Sequence, residues 1–198
     1  MEQKMRTKGM MGIGTLIIFI AVILVAAVAA AVLISTSGSL QQKALVTGGQ
    51  AEEGVSTGAE VISVMATDAS SDHTVEDFEM LLRLQAGSEP MNLNNTVLLM
   101  DTSTTSQSMD FNSTIDTNDA MTAADTLTFL VHYVKQGPDY ESGYLSRGDV
   151  IKVKFQSTND IAENQKVRLK VVPRVGQPSI IEFTTPDVMT DNRITLWP

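Results

Sequence analysis

The stretch that decides the architecture is Leu16-Ile17-Ile18-Phe19-Ile20-Ala21-Val22-Ile23-Leu24-Val25-Ala26-Ala27-Val28-Ala29-Ala30-Ala31-Val32-Leu33-Ile34, nineteen apolar residues in a row. It lies inside a 34-residue window, Gly9 to Gln42, that carries no charged side chain. About 20 apolar residues, rising 1.5 Å each, cross a hydrocarbon core of roughly 30 Å as a helix. Lys4, Arg6 and Lys8 precede the run against a single Glu2, and Lys43 is the first charge beyond it. That asymmetry places residues 1–8 in the cytoplasm and the body of the chain outside.

Three readings of this segment compete. A secretory signal has an apolar core of about 7–15 residues and a small-residue cleavage site; this run is longer, and no such site stands out from its Ala-rich stretch. A permanent single-span anchor fits on length. A class III, prepilin-like signal needs a short basic leader ending in Gly and an uncharged helix start. Arg6-Thr7-Lys8-Gly9 followed by Met10-Met11-Gly12-Ile13-Gly14-Thr15 has that form. Cleavage between Gly9 and Met10 removes three positive charges and one negative, taking the net charge from −9 to −11.

The helical pattern outruns a membrane. Ser35-Thr36-Ser37-Gly38 is a polar dip, yet Leu40, Ala44, Leu45 and Val46 resume the period, and Gly48-Gly49 is the first strong stop signal. Gly14 to Thr47 makes about 51 Å of helix, roughly 20 Å more than a bilayer core needs. A plain anchor has no use for the excess; a helix that packs against copies of itself does. Ala26/Ala30 and Ala27/Ala31 lie one turn apart, the small-residue spacing that lets helices approach closely. The organisation expected is therefore a leader at 1–9, a helix at 10–48, a linker at 49–57 and a domain at 58–198.

Beyond the linker the hydrophobic period changes to 2. Phe78, Met80, Leu82 and Leu84 alternate with polar residues, as do Leu127, Phe129, Val131 and Tyr133. Ile151-Val153-Phe155, Val167-Leu169-Val171, Ile181-Phe183 and Ile194-Leu196 repeat the pattern, and 60–66 and 96–101 read as further strands. Turn signals such as Gly137-Pro138-Asp139, Arg147-Gly148-Asp149 and Gly176-Gln177-Pro178 separate them. The fold class is thus α+β: a long N-terminal hydrophobic helix, then an antiparallel β-sandwich of the immunoglobulin-like kind. About 140 residues bury an adequate core without disulfides. Residues 101–125, rich in Ser, Thr, Asp and Asn, read as an outward loop region with room for one or two short strands.

Composition excludes several chemistries. There is no Cys, so disulfides, thiolate metal sites and Cys nucleophiles are absent. His73 and His132 are 59 residues apart, a poor basis for a multi-histidine metal site. A net charge of −9 disfavours nucleic acid. Gly54-Val55-Ser56-Thr57-Gly58 matches G-x-S-x-G, but a nucleophile elbow needs a strand before and a helix after, and the order here is reversed. Gly12-Ile13-Gly14 is half of a dinucleotide fingerprint and follows no strand. Asp110, Asp116 and Asp119 with Asn112 and Asn118 offer oxygen ligands, yet lack EF-hand spacing and read better as a solvated loop. His132 sits in a strand pattern as a structural residue, and the 11 Met residues suit core filling. No catalytic residue, metal site or cofactor is expected. Two Asn-x-Ser/Thr sequons, at Asn94 and Asn112, are candidate glycan sites on an exported chain.

The segments Gly12 to Ala21, Val25 to Ala30 and Leu33 to Ala44 together resemble, nearly without gaps, the N-terminal region of archaeal flagellins (archaellins). Ala86 to Leu93 and Gly148 to Pro198 extend the resemblance over nearly the whole chain, most weakly at 101–125. Type IV pilins share the signal logic but usually carry Glu at the fifth mature position, which here is Gly14. The resemblance implies a non-enzymatic subunit that polymerises through its N-terminal helix into a rotating, extracellular swimming filament, with N-glycosylation common. It implies copies of itself or paralogues as partners, a prepilin-type peptidase, an assembly ATPase, a membrane platform protein and a passing stay in the cell membrane. An adhesive type IV-like pilin and a single-span anchored β domain with a binding function are the alternatives.

Overall fold

The computed structural model describes residues 2–69, 73–115 and 126–198. It divides into two compact units, Met1–Gln50 and Ala51–Pro198. The described residues of the first are all helical, part of one helix α1, Glu2–Ser56. The expected stop at Gly48-Gly49 and the expected linker at 49–57 do not interrupt it. Each Gly in a helix interior costs about 1 kcal/mol relative to Ala. Ala51-Glu52-Glu53 follows directly and forms helix readily, so the two glycines weaken the turn without ending it. Termination comes at Thr57, whose N–H still donates to Glu53 O (3.0 Å).

The second unit is built from strands β1 (Ala59–Ala66), β2 (Val75–Leu84), β3 (Met91–Asn92), β4 (Val97–Thr102), β5 (Ser106–Ile115), β6 (Thr128–Lys135), β7 (Tyr144–Leu145), β8 (Val150–Ile161), β9 (Lys166–Val172), β10 (Ser179–Thr184) and β11 (Ile194–Trp197). Nine of them hydrogen-bond in the order β10-β9-β4-β5-β6-β8-β2-β1-β11, and β3 pairs with β7. Every neighbouring pair is antiparallel except β5 and β6, which run parallel. That pair departs from the wholly antiparallel expectation. Of the residues between these two strands, 116–125 lie outside the described residues.

The sheet closes over its own inner face. Phe78 of β2 stacks on Phe155 of neighbouring β8 at 5.4 Å, and also meets Phe183 of β10 at 6.5 Å, although six steps of strand order separate β2 from β10. Met80, Leu98, Met109, Val131, Ile151 and Leu169 complete a continuous core, each almost inaccessible to water. Burial of side chains this size contributes roughly 1.5–3 kcal/mol each, which suffices in a unit without disulfides.

Within the region expected to loop outward with room for one or two short strands, 101–125, the structure places a longer strand, β5, over Ser106–Ile115. It spans ten residues and pairs with β4 from Val97↔Asp110 to Asp101↔Ser106. Its inward Gln107 is buried and fully engaged. The amide nitrogen donates to Gln156 O (2.9 Å) and Thr126 O, while Oε1 accepts from Thr158 N (2.9 Å) and Thr158 Oγ1 (2.9 Å). A polar side chain satisfied in this way occupies a core position at little cost.

The turn Arg147-Gly148-Asp149 is structural. Asp149 is buried, and its carboxylate accepts from Gly137 N (2.6 Å) and Ser146 N (2.8 Å). Gly148 has φ +85°, and a Cβ on Gly137 would lie 2.2 Å from Arg147 O. Both positions therefore require glycine. Tyr133 anchors the same loop by donating to Tyr144 O (2.6 Å), and burial pushes its hydroxyl up to about 12.

Candidate functional site: an uncovered apolar helix and the surface of the β unit

From Ile13 to Ile34 the large apolar side chains of α1 are all open, from 49% exposed at Ile20 to 74% at Ile34. The residues face every direction around the helix, so this is not an amphipathic element resting on a core. A helix apolar all round is stable in water only when covered. Gly12–Ser56 contains a segment long and apolar enough to cross a membrane. Thr15, the one hydroxyl between Gly9 and Ile34, donates to Gly12 O (2.9 Å). Its polarity is thereby spent inside the helix, leaving an outer surface without an unsatisfied donor.

The predicted processing residues Gly9 and Met10 lie within α1. Of the two sequons, Asn94 is exposed in the 3-10 turn Leu93–Asn95. Asn92 caps that turn through its side chain, which accepts from Asn94 N at 2.9 Å. The sequon hydroxyl, Thr96 Oγ1, donates to Asn92 O (2.9 Å) and is buried. Asn112 is half-buried in β5. The two sequons are therefore unequal in access.

Asp110 is exposed in β5; Asp116, Asn118 and Asp119 lie outside the described residues. Among the described residues no group of three His, Asp or Glu is placed to hold a metal ion. Ser56 is the last residue of α1 and β1 starts three residues later, an order opposite to a nucleophile elbow. Its carbonyl accepts from Ser88 Oγ (2.9 Å), so the G-x-S-x-G match is a junction between elements. His132 pairs with Lys152 across β6 and β8, within the sheet as expected.

One feature escaped the sequence. Glu79, alternating with core residues of β2, is only 3% exposed. Lys154 Nζ approaches it at 3.0 Å, Lys152 Nζ at 3.9 Å, and Arg193 donates to the same carboxylate. Three chain segments, β2, β8 and the approach to β11, are joined by this one acid. Its only sequence signal is a polar position in an alternating strand, which reads as solvent-facing.

A family model described as archaeal-type flagellin matches residues 9–183. Flagellin B1 of Methanocaldococcus jannaschii is 34% identical over 206 aligned residues, covering 96% of this chain and 95% of that protein. Among solved structures, the archaeal flagellum of Methanospirillum hungatei aligns with a TM-score of 0.70 at 16% identity, over 94% of this chain and 99% of its own. The crystal structure of an archaeal flagellin from Methanocaldococcus jannaschii aligns with a TM-score of 0.61 at 20% identity, over 71% and 97%. An apolar helix open on all sides, a disulfide-free β unit and these matches along both together identify the chain as a member of the archaeal-type flagellins.

Proposed function

We propose that the chain is the repeating subunit of an extracellular archaeal-type flagellar filament that drives swimming, with α1 forming the filament's interior and the β unit its outer surface. The observation that carries this reading is the all-round exposure of the apolar side chains from Ile13 to Ile34. Such a surface must be covered by lipid before assembly and by copies of itself, or paralogous subunits, afterwards. The precursor inserts with residues 1–8 inside the cell, and a prepilin-type membrane peptidase cuts between Gly9 and Met10. Support for that junction comes from the Lys8-Gly9 leader end and from a family match that begins at residue 9.

Lipid is as apolar as the neighbouring helices, so the hydrophobic effect alone does not draw α1 out of the bilayer. Transfer requires an energy source and a membrane platform, hence an assembly ATPase and a platform protein as partners. Glycan, where present, belongs on Asn94, whose side chain is exposed, ahead of Asn112 in β5.

Electron microscopy of filaments sheared from cells, with mass spectrometry of their subunits, tests the reading. Filaments whose subunits start at Met10 are expected. A protein recovered with Met1 intact and as a detergent-soluble monomer overturns it. Filaments of Met10-starting subunits that serve attachment without rotation replace it with the adhesive alternative.

A further inference from the structure

The two outer faces of the β unit carry patches of opposite charge, a basic one on β9 and an acidic one at the end of the β2–β8 face away from the Lys152–Lys154–Arg193 cluster on Glu79. Along β9 the inward side chains are Val167, Leu169 and Val171, so Lys166, Arg168 and Lys170 project outward at every second position. Across the strands Arg168 faces Asp101 and Glu182, and it holds Glu182 at 2.6 Å. Lys170 stands between Leu99 and Ile180, the latter 55% exposed, and Lys166 stands beside Thr184. Lys166 and Lys170 make no ion pair among the described residues. At the Lys166 end of this face lies an open cleft of about 470 Å³ lined by Asp101, Ser103, Lys166, Arg168 and Glu182. An apolar spot beside unspent cations is the make-up of a docking patch with a polar rim.

The complementary surface lies on the other layer. Asp77 projects outward beside the inward Phe78. Glu76 accepts from Gln156 Nε2 (3.1 Å), and its N–H donates to Asp68 Oδ2 (3.0 Å). A hydrogen bond with Asp160, then burial and the charges of Asp160 and Asp68, hold the Glu76 carboxyl above the usual range. Burial, and next the charge of Asp68, raise Asp77, with Lys154 partly opposing. Asp68 Oδ1 is buried without a hydrogen-bond partner among the described residues. Beyond these, Glu163 is paired with His73 at 3.5 Å. Four carboxylates thus crowd one end of the β2–β8 face, with Asp68 acting on both Glu76 and Asp77 and Asp160 on Glu76. Because Phe78 and Phe183 meet inside the sandwich, the outward sides of β2 and of β9–β10 look away from each other.

We propose that the Lys166–Lys170 ridge, with Leu99 and Ile180 beside it, docks against the Asp68–Glu76–Asp77–Asp160 cluster of a second copy, making a salt-sensitive head-to-tail contact between outer units. Opposed, non-identical surfaces give a heterologous contact that propagates without closing, the type a filament needs. It also answers a charge problem. Cleaved copies each carrying −11 repel, and bringing cations to the most crowded carboxylates turns the worst repulsion into attraction. The inference rests on the filament reading above.

The test uses intact filaments of the full chain and measures the rate of subunit loss against ionic strength. Lys166→Glu with Lys170→Glu is expected to shed subunits about tenfold faster than the unsubstituted chain at low salt. At 1 M salt, where screening acts over about 3 Å, the difference should fall to within about twofold. Asp160→Lys, an exposed substitution, should act in the same direction, and the chain carrying all three changes should recover most of the loss. Should the reversed pair fail to enter filaments, Lys166→Gln with Lys170→Gln keeps the question open to a smaller acceleration of the same sign. Shedding unchanged by the neutral or reversed pair overturns the contact, as does a triple variant no better than its parents. Absence of filaments from the unsubstituted chain defeats the filament reading itself, and the contact with it.

Discussion

Val25→Asp separates a filament helix from a simple anchor. Val25 is the midpoint of the Leu16–Ile34 run and is 70% exposed on α1. Thirteen of those nineteen residues are Leu, Ile, Phe or Val, each contributing about −0.3 to −0.6 kcal/mol to membrane insertion at the helix centre. The sum is about −4 to −8 kcal/mol, against about +2.5 to +3.5 kcal/mol for one central Asp. Insertion therefore survives with a reduced margin. In a bundle of identical helices the same Asp recurs in every subunit, so each copy brings a carboxylate into a dry interior beside its neighbours'. Each must be desolvated without a cationic side chain to meet it, because Gly9 to Gln42 supplies none and the α-amino group freed at Met10 lies about 22 Å along its own helix. The cost is several kcal/mol per subunit and repeats along the lattice. The expected outcome is a leader-processed protein in the membrane fraction and no filaments, read by fractionation, mass spectrometry and electron microscopy. Val25→Ala, which removes only apolar volume, should still assemble. Filaments of ordinary length from the Val25→Asp chain would refute the claim that α1 is buried among its copies.

Phe78→Ala should destabilise the β unit by about 3–5 kcal/mol, since it leaves a cavity between Phe155 and Phe183; denaturant unfolding of dissociated subunits, followed by Trp197 fluorescence, reads the change. Gly137→Ala places a Cβ 2.2 Å from Arg147 O and should cost about 1–3 kcal/mol in the same assay, with the 137–149 loop the first to lose protection from hydrogen exchange. Glu76→Gln should raise the melting temperature at neutral pH. The folded state holds Glu76 above its ordinary value of 4.5, so its contribution to stability is complete below that value and is lost as pH rises through the raised one. The gain should therefore vanish below pH 4.5, and a variant less stable than the parent at pH 7 would contradict the repulsion. Asn94→Gln should remove whatever glycan mass the filament subunit carries, while Asn112→Gln should leave it; the reverse pattern counts against access as the deciding factor.

Legibility in the sequence followed the one-sidedness of each element. β2, β8 and β9 were read correctly from Phe78-Met80-Leu82, Ile151-Val153-Phe155 and Val167-Leu169-Val171, because one face is buried in hydrocarbon and the other is polar. β5 escaped because its inward Gln107 is polar and its neighbours Ser106 and Ser108 are polar as well. Met109, fully buried, and Phe111, packed against the core beside Phe129, are the large apolar markers of its core face. The satisfaction of Gln107 by Gln156 and Thr158 depends on residues about fifty positions away, which no local window contains. Glu79 was hidden for the same reason, since its cations come from β8 and from Arg193. The end of α1 was misplaced because two glycines suggest a stop, although about 1 kcal/mol each is within what neighbouring helix formers sustain. The open apolar surface of α1 was plain at once, because an uninterrupted apolar run needs no tertiary partner to be recognised.

That difference bears on how the two units divide the work of assembly. As proposed, α1 rests first in lipid and then among its copies, a passage that forbids ion pairs and committed polar contacts and leaves shape as the source of preference. Ala26/Ala30 and Ala27/Ala31 supply the shape, letting backbones approach where lipid tails cannot pack as closely. Shape alone selects weakly among similar apolar helices, so direction and spacing along a filament need a second, charged code. The β unit can hold that code because its core is already complete, from Phe78 through Leu169 to Phe183, without the outward Lys166 and Lys170. Enlarging Ala27 and Ala31 to Leu should therefore weaken the interior without altering the salt response, whereas reversing Lys166 and Lys170 should alter the salt response and leave processing and helix burial intact. Loss of the salt response in the Ala27→Leu, Ala31→Leu chain would show that the two codes are one.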